Sequence, residues 1–310
     1  SHPLFEWFPK TTDFTGRNRS IQVRNEGGMG RSALFATAAS TQTANSYKEF
    51  NVTRVSNYAI GYIANEAMEA AVGGDSSAFD GIGDMIDGLH LTFGIDTAQT
   101  LYGSGTGKKG QAQTVVTGVG GTVQLTQYTD AIFFGVGMSI VTSTTDGGGV
   151  VNAAATITAL DRETGLLTFD NVPVTWANND YVFVNGDYDA KMKGLLAWVP
   201  TTAPTAGDNF YGVDRSSDPV FLAGQRYNGG GGTIESTLMT AMSRGYVQGS
   251  KFDAVFINPA KFNDLVLSLG NKIREPRPGG NGKQTVGYNS VMITSPQGGM
   301  VEVIPDPDCP

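Results

Sequence analysis

The stretch Arg19-Ser-Ile-Gln-Val-Arg24, with Glu26-Gly-Gly-Met-Gly30 and Ser32-Ala-Leu-Phe-Ala-Thr37 after it, decides how this chain must fold. Two strand-like runs flank a glycine-rich turn, which predicts a long hairpin arm over residues 13–53. A lone two-stranded hairpin is marginal in water. Its few apolar residues cannot offset the entropy lost when the arm becomes ordered. We therefore expect the arm to lie on another surface, and we expect that surface to belong to another copy of the chain.

The composition is typical of a protein with a largely neutral surface. Charged residues make up 16% of the 310 residues, against roughly 25% in average soluble proteins. Such a surface suits a protein that buries much of itself in interfaces, and it also suits a Thr-rich secreted β protein. Cys309 is the single cysteine, which excludes an intrachain disulfide and a multi-cysteine metal cluster. No apolar run reaches the ~20 residues that span a membrane.

Charge is distributed unevenly along the chain. Residues 1–54 carry seven basic and four acidic groups, a net charge of +3. Residues 55–100 carry seven acidic groups and neither Lys nor Arg, a net charge of −7. This asymmetry favours docking of a positive arm onto a negative body, although solvated faces would give the same counts. The acidic balance does not predict a dedicated nucleic-acid-binding surface.

The residues after the arm predict a strand and two helices. Asn51–Ile60 is strand-like, and Tyr62–Val72 carries helix formers before Gly73 and Gly74. A longer amphipathic helix is predicted from N-cap candidates in 75–77 to about Tyr102. Its apolar residues recur every three or four positions, as one helical stripe does. That stripe consists of Phe79, Ile82, Ile86, Leu89 and Phe93.

Residues 111–190 predict a separate β domain, either a small barrel or a sandwich, because short β-rich runs recur there between turn signals. These runs are Gly121–Thr126, Ser139–Thr142, Ala155–Leu160, Leu166–Phe169 and Tyr181–Val184. The clearest hairpin closes through Asp161-Arg-Glu-Thr-Gly165, where Gly165 can adopt the left-handed conformation that the turn requires.

Alternating helix and strand patterns return after residue 191. Gly194–Val199 is strand-like, and Thr233–Val247 predicts a helix. Phe252–Ile257 predicts a buried strand. It leads into a helix that Asn258 caps and Gly270 ends, with Phe262, Leu265, Val266 and Leu269 on its apolar face.

The run Phe252-Asp-Ala-Val-Phe-Ile-Asn-Pro-Ala-Lys-Phe-Asn-Asp-Leu-Val-Leu-Ser-Leu-Gly270 resembles major capsid proteins of tailed bacteriophages, which have the Hong Kong ninety-seven-type fold. Other segments fit that family in the same order. His2–Lys10 resembles the segment before the family's extended loop, and the arm resembles that loop. Tyr58–Tyr102 resembles the peripheral-domain strand and spine helix. Met300–Pro310 resembles a late strand and turn after which family members usually continue.

The resemblance implies an α+β fold with an E-loop arm, a peripheral domain with a spine helix, an axial domain and an inserted all-β domain. It implies five segments and a sequence that continues beyond Pro310. The segments are an entry segment at 1–12, the E-loop at 13–53, the peripheral domain at 54–110, the inserted barrel or sandwich at 111–190, and the rest of the peripheral domain with the axial domain at 191–310.

The resemblance also implies a structural virion protein that assembles in the host cytoplasm. Copies of the chain would form hexamers and pentamers of an icosahedral shell around double-stranded DNA. Decoration, scaffolding and portal proteins would be further partners, DNA would be held nonspecifically, and no membrane would be involved. Contact candidates between subunits are the arm's basic residues Arg17, Arg19, Arg24 and Arg31.

No catalytic, cofactor-binding or metal-binding constellation is predicted, so we expect a protein that is not an enzyme. Gly103–Gly110 resembles a phosphate-binding loop, but Lys109 stands where Ser or Thr is needed, and a flexible connector is the better interpretation. His90 is interpreted as a structural helix residue. Asn185–Asp189 lacks the order of a calcium loop. Cys309 has no evident base.

Some members of the family form isopeptide bonds between a loop lysine and a neighbouring asparagine. Here no lysine lies between Thr11 and Tyr47, and guanidinium groups are poor nucleophiles. We therefore expect no crosslink from the tip of the arm; Lys10 and Lys48 remain at its base. The alternative function is a secreted β-rich adhesin or glycan-binding module, which would leave the long helix unexplained.

Overall fold

The computed structural model describes residues 3–11, 14, 16–62, 81–269, 291–296 and 298–309, without the side chains of 81, 82 and 84. These residues form a mixed α+β structure, which confirms the predicted class at that level. The chain divides into two compact units, Ser1–Arg54 with Val199–Pro310 and Val55–Trp198. Within the described residues, every helix is too short or too polar to cross a membrane.

The arm is a hairpin, as predicted, but its second strand lies later in the sequence. Its elements are α1 (Pro3–Trp7), β1 (Asn18–Glu26), α2 (Phe35–Ser40) and β2 (Ser46–Thr53). β1 and β2 pair in antiparallel register, with Arg19 opposite Val52. The prediction of a strand at Ser32–Thr37 is wrong, because Ala36-Thr-Ala-Ala-Ser40 is rich in small helix-compatible residues. The strand predicted at Asn51–Ile60 ends at Thr53.

The second unit contains the long helix α3 (Gly81–Tyr102), which ends where the sequence predicts. The predicted helix at Tyr62–Val72, apart from Tyr62, and the N-cap candidates at 75–77 lie outside the described residues. Of the predicted apolar stripe, Ile86 and Phe93 are exposed in the single chain. In the described part of the stripe, these two side chains are therefore not part of a buried core, and Leu89 is half-buried.

A closed barrel of six antiparallel strands follows α3. The elements are β3 (Lys108–Val116), β4 (Gly118–Val119), β5 (Thr122–Leu125), a 3-10 helix (Tyr128–Phe133), β6 (Ser139–Ser143), β7 (Ala155–Asp161), β8 (Leu166–Phe169), β9 (Asn171–Val172) and β10 (Tyr181–Val184). The order around the barrel is β10-β3-β5-β8-β7-β6, and β4 pairs separately with β9. Of the two architectures that the sequence left open, the barrel is the one observed.

Alternating apolar side chains fill the barrel. The buried set includes Val123, Leu125, Ile140, Ile157, Leu167, Phe169, Trp176 and Val182. Phe169 and Trp176 meet edge to face with ring centroids 5.2 Å apart. The indole N–H of Trp176 donates to the carbonyl of Ala153 at 2.8 Å, so its polar group is satisfied.

The remaining elements are α4 (Leu195–Trp198), β11 (Asn209–Phe210), β12 (Val213–Asp214), a 3-10 helix (Arg215–Ser217), α5 (Pro219–Ala223), α6 (Ile234–Val247), β13 (Ala254–Ile257), α7 (Pro259–Leu269), β14 (Val291–Thr294) and β15 (Met300–Pro305). The strand predicted at Gly194–Val199 is wrong, because this run forms the one-turn helix α4. Leu195, Leu196 and Ala197 are strong helix formers, and Val199, the β-branched residue of the run, follows the helix.

The strand, cap and helix predicted after residue 252 are present. β13 pairs parallel to β15, and β14 pairs antiparallel to β15, so β13 is a half-buried edge strand, not a buried one. Asn258 caps α7 through its Oδ1, which accepts the N–H of Ala260 at 3.0 Å. Gly270, the predicted end of the helix, lies outside the described residues. Buried residues of α7 and the sheet share one core, namely Phe262, Leu265, Val291 and Val303.

The base of the arm is anchored within its own unit. Phe50 of β2 is buried and meets Phe210 with ring centroids 6.4 Å apart. The N–H of Asn51 donates to the carbonyl of Tyr211 at 2.9 Å. The guanidinium of Arg215 lies 4.0 Å from the Phe210 ring centroid and pairs with Asp208 at 2.7 Å. The arm is therefore fixed at its base.

The predicted turn between β7 and β8 is confirmed. Gly165 has φ 75°, and its N–H donates to the carbonyl of Asp161 at 2.9 Å. The Asp161 carboxylate accepts the N–H of Glu163 at 2.9 Å and the hydroxyl of Thr164 at 2.7 Å. These bonds stabilise the charged carboxylate and lower the pKa of Asp161.

We expect Gly165→Ala to lower the free energy of unfolding by roughly 2–4 kcal/mol, because a left-handed Ala is strained and its Cβ would lie 2.7 Å from the Tyr128 Cα. Gly120 is a matched control, because it has φ 69° and an added Cβ would meet no atom within 4 Å. Gly120→Ala should cost only about 1 kcal/mol. Urea unfolding of both variants measures the difference, and equal losses would contradict the close approach at Gly165.

Candidate self-association surface

The tip of the arm is an ordered loop that lacks an apolar core. The N–H of Gly28 donates to Asn45 Oδ1 at 2.7 Å, and the N–H of Thr43 donates to the carbonyl of Met29 at 2.6 Å. The N–H of Met29 in turn donates to Thr43 Oγ1 at 3.0 Å. These bonds close the loop around α2. Backbone and polar side-chain bonds thus hold the tip in shape.

Large apolar side chains project from this tip. Leu34 is 69% exposed and Phe35 is 89% exposed, and α2 has no buried residue. Met29 is also mostly exposed. Exposed apolar groups on an ordered scaffold are typical of interaction sites. The tip is therefore the first component of the candidate surface.

The four predicted contact residues are distributed along the arm and do not form one patch. Arg17 lies at the base, where its carbonyl accepts the N–H of Arg54 at 2.9 Å. Arg19 and Arg24 lie on opposite faces of β1, and Arg31 lies in the tip. Arg19 is half-buried and the other three are exposed. Within the described part of the chain, none of the four guanidinium groups forms an ion pair.

The acidic segment is only partly visible. Of its seven acidic side chains, the structure describes those of Asp87 and Asp96. Asp87 is exposed on α3. Asp96 is bound by lysines of its own unit, so it is not free to pair with another copy. The predicted negative surface must exclude Asp96.

An apolar groove lies along α3 and is the second component of the candidate surface. Its volume is about 500 Å³, and its lining residues are Ala59, Ile86, Leu89, His90, Phe93 and Gly94. Segment 59–61 forms one wall, because a Cβ on Gly61 would lie 2.7 Å from Leu89 Cδ1. Ile86 and Phe93 remain more than 40% exposed. His90, predicted as a structural residue, is exposed beside this groove.

Asp96 forms the centre of a charged cluster that sequence reasoning missed. Its Oδ1 lies 2.6 Å from Lys109 Nζ, and its Oδ2 lies 2.8 Å from Lys191 Nζ and 2.6 Å from Asn57 Nδ2. Lys109 Nζ also donates to Gln99 Oε1 at 2.5 Å. Lys109 is only 6% exposed. The signal for this cluster was the Lys pair inside the glycine-rich run, which was interpreted as a connector.

Opposing effects set the titration of this cluster. Burial alone would raise the pKa of Asp96, but the charge and hydrogen bonds of Lys109, Lys191 and Asn57 outweigh it and lower the pKa to about 2. Burial alone would lower the pKa of Lys191. Its bonds to Asp96 and Asp187 outweigh that effect and raise it. Both groups are thus held in their charged forms.

The interpretation of Gly103–Gly110 as a connector holds for residues 103–107, which join α3 to β3, and is wrong for the last three residues. Lys108–Gly110 belongs to β3, and a Cβ on Gly107 would lie 2.3 Å from the Asp187 carbonyl oxygen. The run also follows a helix and leads into a strand, the reverse of a phosphate-binding loop. In the Asn185–Asp189 loop the carboxylates have separate partners. Asp187 pairs with Lys191 at 3.1 Å, and Asp189 accepts the N–H of Gly148 at 2.7 Å.

Two further groups have shifted pKa values. Burial raises the pKa of Asp130 to about 6, against the opposing charge of Lys108. Burial raises the pKa of the Cys309 thiol to about 11, and the negative charge of Asp306 adds to the shift. The thiol is thus protonated at neutral pH. Among the residues that the structure describes, no three His, Cys, Asp or Glu side chains converge as a metal site.

No family model, curated protein or solved structure matches this chain.

We expect Asp96→Asn to lower the free energy of unfolding by about 3 kcal/mol at pH 7, because buried Lys109 would lose its counter-charge and Lys191 would keep only Asp187. The wild-type chain should lose up to about 2 kcal/mol as the pH falls from 4 towards 2. The sign follows from the pKa of Asp96, which is lower in the folded chain than in the unfolded chain, so protonation favours unfolding. Urea unfolding across this pH range measures both effects.

A matched control is Asp264→Asn, which breaks the exposed ion pair with Lys261 at 3.2 Å. Exposed pairs contribute less than about 1 kcal/mol. Asp96→Asn should lower the free energy of unfolding clearly more than Asp264→Asn does. It should also reduce the dependence of that free energy on pH between 4 and 2. If either result fails, the cluster does not stabilise the fold as described.

Proposed function

We propose that this chain is the major capsid protein of a tailed bacteriophage and builds an icosahedral shell from hexamers and pentamers around double-stranded DNA. Its activity is association with other copies of itself. The proposal concerns a virion protein that assembles in the host cytoplasm. Scaffolding, portal and decoration proteins would be further partners, and packaged DNA would be held nonspecifically.

The observation that carries the proposal is the arm. Its two strands pair from Asn18 opposite Thr53 to Glu26 opposite Ser46, its base is anchored at Phe50 and its tip is ordered. Leu34 and Phe35 nevertheless remain mostly exposed in the described chain. Burying two such side chains would contribute roughly 3–6 kcal/mol per contact. A shell repeats that contact in every subunit, so the arm gains a surface only by association.

The order of elements supports the same proposal. The arm comes first, the long helix and barrel follow, and the strand, Asn258 cap and helix precede a late strand. This is the order in which the sequence segments resemble the capsid family. The barrel occupies the position of an inserted domain in that order, between the long helix and the return of mixed helix and strand.

We expect the purified chain to form shells, tubes or capsomer rings in negative-stain microscopy. Reversing the arm's charge with Arg17→Glu, Arg19→Glu, Arg24→Glu and Arg31→Glu should abolish these assemblies, because docking needs a positive arm. Lys at the same four positions keeps the charge and should preserve them. Unchanged assembly of the Glu variant would refute the electrostatic part. A chain that stays monomeric under all assembly conditions would refute the capsid proposal.

We also expect assembled particles to dissociate into intact single chains on a denaturing gel. The arm carries no lysine between Thr11 and Tyr47. Lys48 lies within β2, outside the tip. Lys10 precedes the arm, and its Nζ lies 4.0 Å from the ring centroid of Phe5 in α1. A ladder of covalent multimers would contradict this expectation.

A further inference from the structure

Three Asn-Gly pairs occur in the chain, at Asn185–Gly186, Asn228–Gly229 and Asn281–Gly282. The third pair lies outside the described residues. An Asn side chain can cyclise on the backbone nitrogen that follows it, and a glycine in the next position has no Cβ to obstruct the approach. Whether this reaction occurs in a folded chain depends on how firmly the pair is held, and the two described pairs differ in this respect.

The fold holds the first pair in place. Asn185 directly follows β10, its N–H donates to the carbonyl of Ser139 at 2.9 Å, and its Nδ2 donates to Ser139 Oγ at 3.3 Å. The turn after it is closed by the N–H of Asp187, which donates to the carbonyl of Val184 at 3.0 Å. Cyclisation of Asn185 would therefore require several hydrogen bonds to break first.

The second pair lies in the loop between α5 and α6 and is arranged for the reaction. Asn228 is exposed, and its Oδ1 accepts the N–H of Gly230 at 3.0 Å. This Asx turn curls the side chain over the peptide nitrogen of Gly229. Among the described residues, the N–H of Gly229 has no hydrogen-bond partner. The N–H of Gly230 donates to the oxygen on which negative charge develops when Asn228 Cγ is attacked, so it favours the attack.

We propose that Asn228 is a site of spontaneous deamidation in the folded chain, where it is converted to aspartate and isoaspartate. Base removes the proton of the Gly229 nitrogen, which attacks Asn228 Cγ; a new C–N bond forms, the Cγ–Nδ2 bond breaks, and Nδ2 leaves as ammonia. Water then opens the five-membered imide. Cleavage on the Cγ side restores the normal backbone with an aspartate. Cleavage on the other side, at the backbone carbonyl of Asn228, leaves an isoaspartate whose main chain runs through Cβ and Cγ.

The reaction places a negative charge in a loop with basic neighbours. Residues 225–245 carry two arginines and one glutamate, so their net charge falls from +1 to zero. One of the arginines is Arg244, whose guanidinium lies 4.5 Å from the ring centroid of Tyr227, directly before the reacting residue. The backbone of Gly229 packs closely on α6, because an added Cβ would lie 2.4 Å from Thr237 Oγ1. The isoaspartate product lengthens the main chain by one carbon just before this contact, so it displaces the loop from α6.

Heavy-oxygen water provides a direct test, because opening of the imide adds one oxygen atom from the solvent. The folded chain is incubated in it at pH 8, digested in ordinary water and analysed peptide by peptide by mass spectrometry. We expect label at position 228, in both aspartate and isoaspartate peptides, at least about tenfold faster than at Asn185, because the turn at Asn185 must open first. In urea the two sites should take up label at similar rates. Asn228→Gln should remove the label at this position and leave uptake at Asn185 unchanged, because glutamine would have to close a larger ring.

Three results would overturn this inference. Equal rates at Asn185 and Asn228 in the folded chain would mean that the fold does not select the site. Uptake at Asn228 in urea but not in the folded chain would mean that the fold prevents the reaction. Labelled aspartate without isoaspartate would exclude the imide, because direct hydrolysis of the side chain yields aspartate alone. None of these measurements depends on shell formation, so they test the site independently of the proposed function.

Discussion

The ion cluster at Asp96 is the interaction on which the second unit depends. Lys109 lies where the chain enters the barrel from α3, and Lys191 lies just after the last strand of the barrel. Lys109 binds one oxygen of the Asp96 carboxylate, and Lys191 binds the other. Asn57 ties the incoming chain to the same oxygen that Lys191 binds. Burying two lysines costs several kcal/mol unless they are paired. The two ends of the barrel segment are therefore held together by ion pairs, and loss of any one charged group would leave another charge buried without its partner.

The first unit contains an arm that is stabilised by few buried groups. Its arm has too little apolar surface to form a core, so its strands depend on pairing with each other and on Phe50 packing against Phe210. The aromatic anchor lies at the base, and hydrogen bonds across the loop hold the tip in shape. Apolar burial, the main source of folding stability, is thus missing where Leu34 and Phe35 project. A segment with this distribution of contacts is stable enough to keep its shape and still has apolar surface to bury.

Local signals predicted more of the fold than long-range ones did. The strands at Leu166–Phe169 and Tyr181–Val184, the Gly165 turn and the Asn258 cap depend on neighbouring residues, and all are present. The pairing of Asn18–Glu26 with Ser46–Thr53 was missed because a glycine-rich turn suggested an earlier partner. The Asp96 cluster was missed because its members are separated by up to 134 residues. Periodicity reports which face is apolar, not which distant charges meet.

Order at the tip and apolar exposure at the tip have a joint consequence. A disordered loop with the same residues would lose the entropy of several backbone dihedrals on binding, and that loss would offset much of the gain from burying Phe35. The hydrogen bonds from Gly28 and Thr43 order the loop when the chain folds. This entropy is therefore already lost before the tip binds another surface. The same reasoning applies to α3, because a helix held at Asp96 presents Ile86 and Phe93 on a fixed scaffold. Two preorganised surfaces can associate through a small contact, and many copies of a small contact assemble more reversibly than a few large ones. In the proposed shell, reversibility of this kind would let misplaced subunits dissociate before the shell closes.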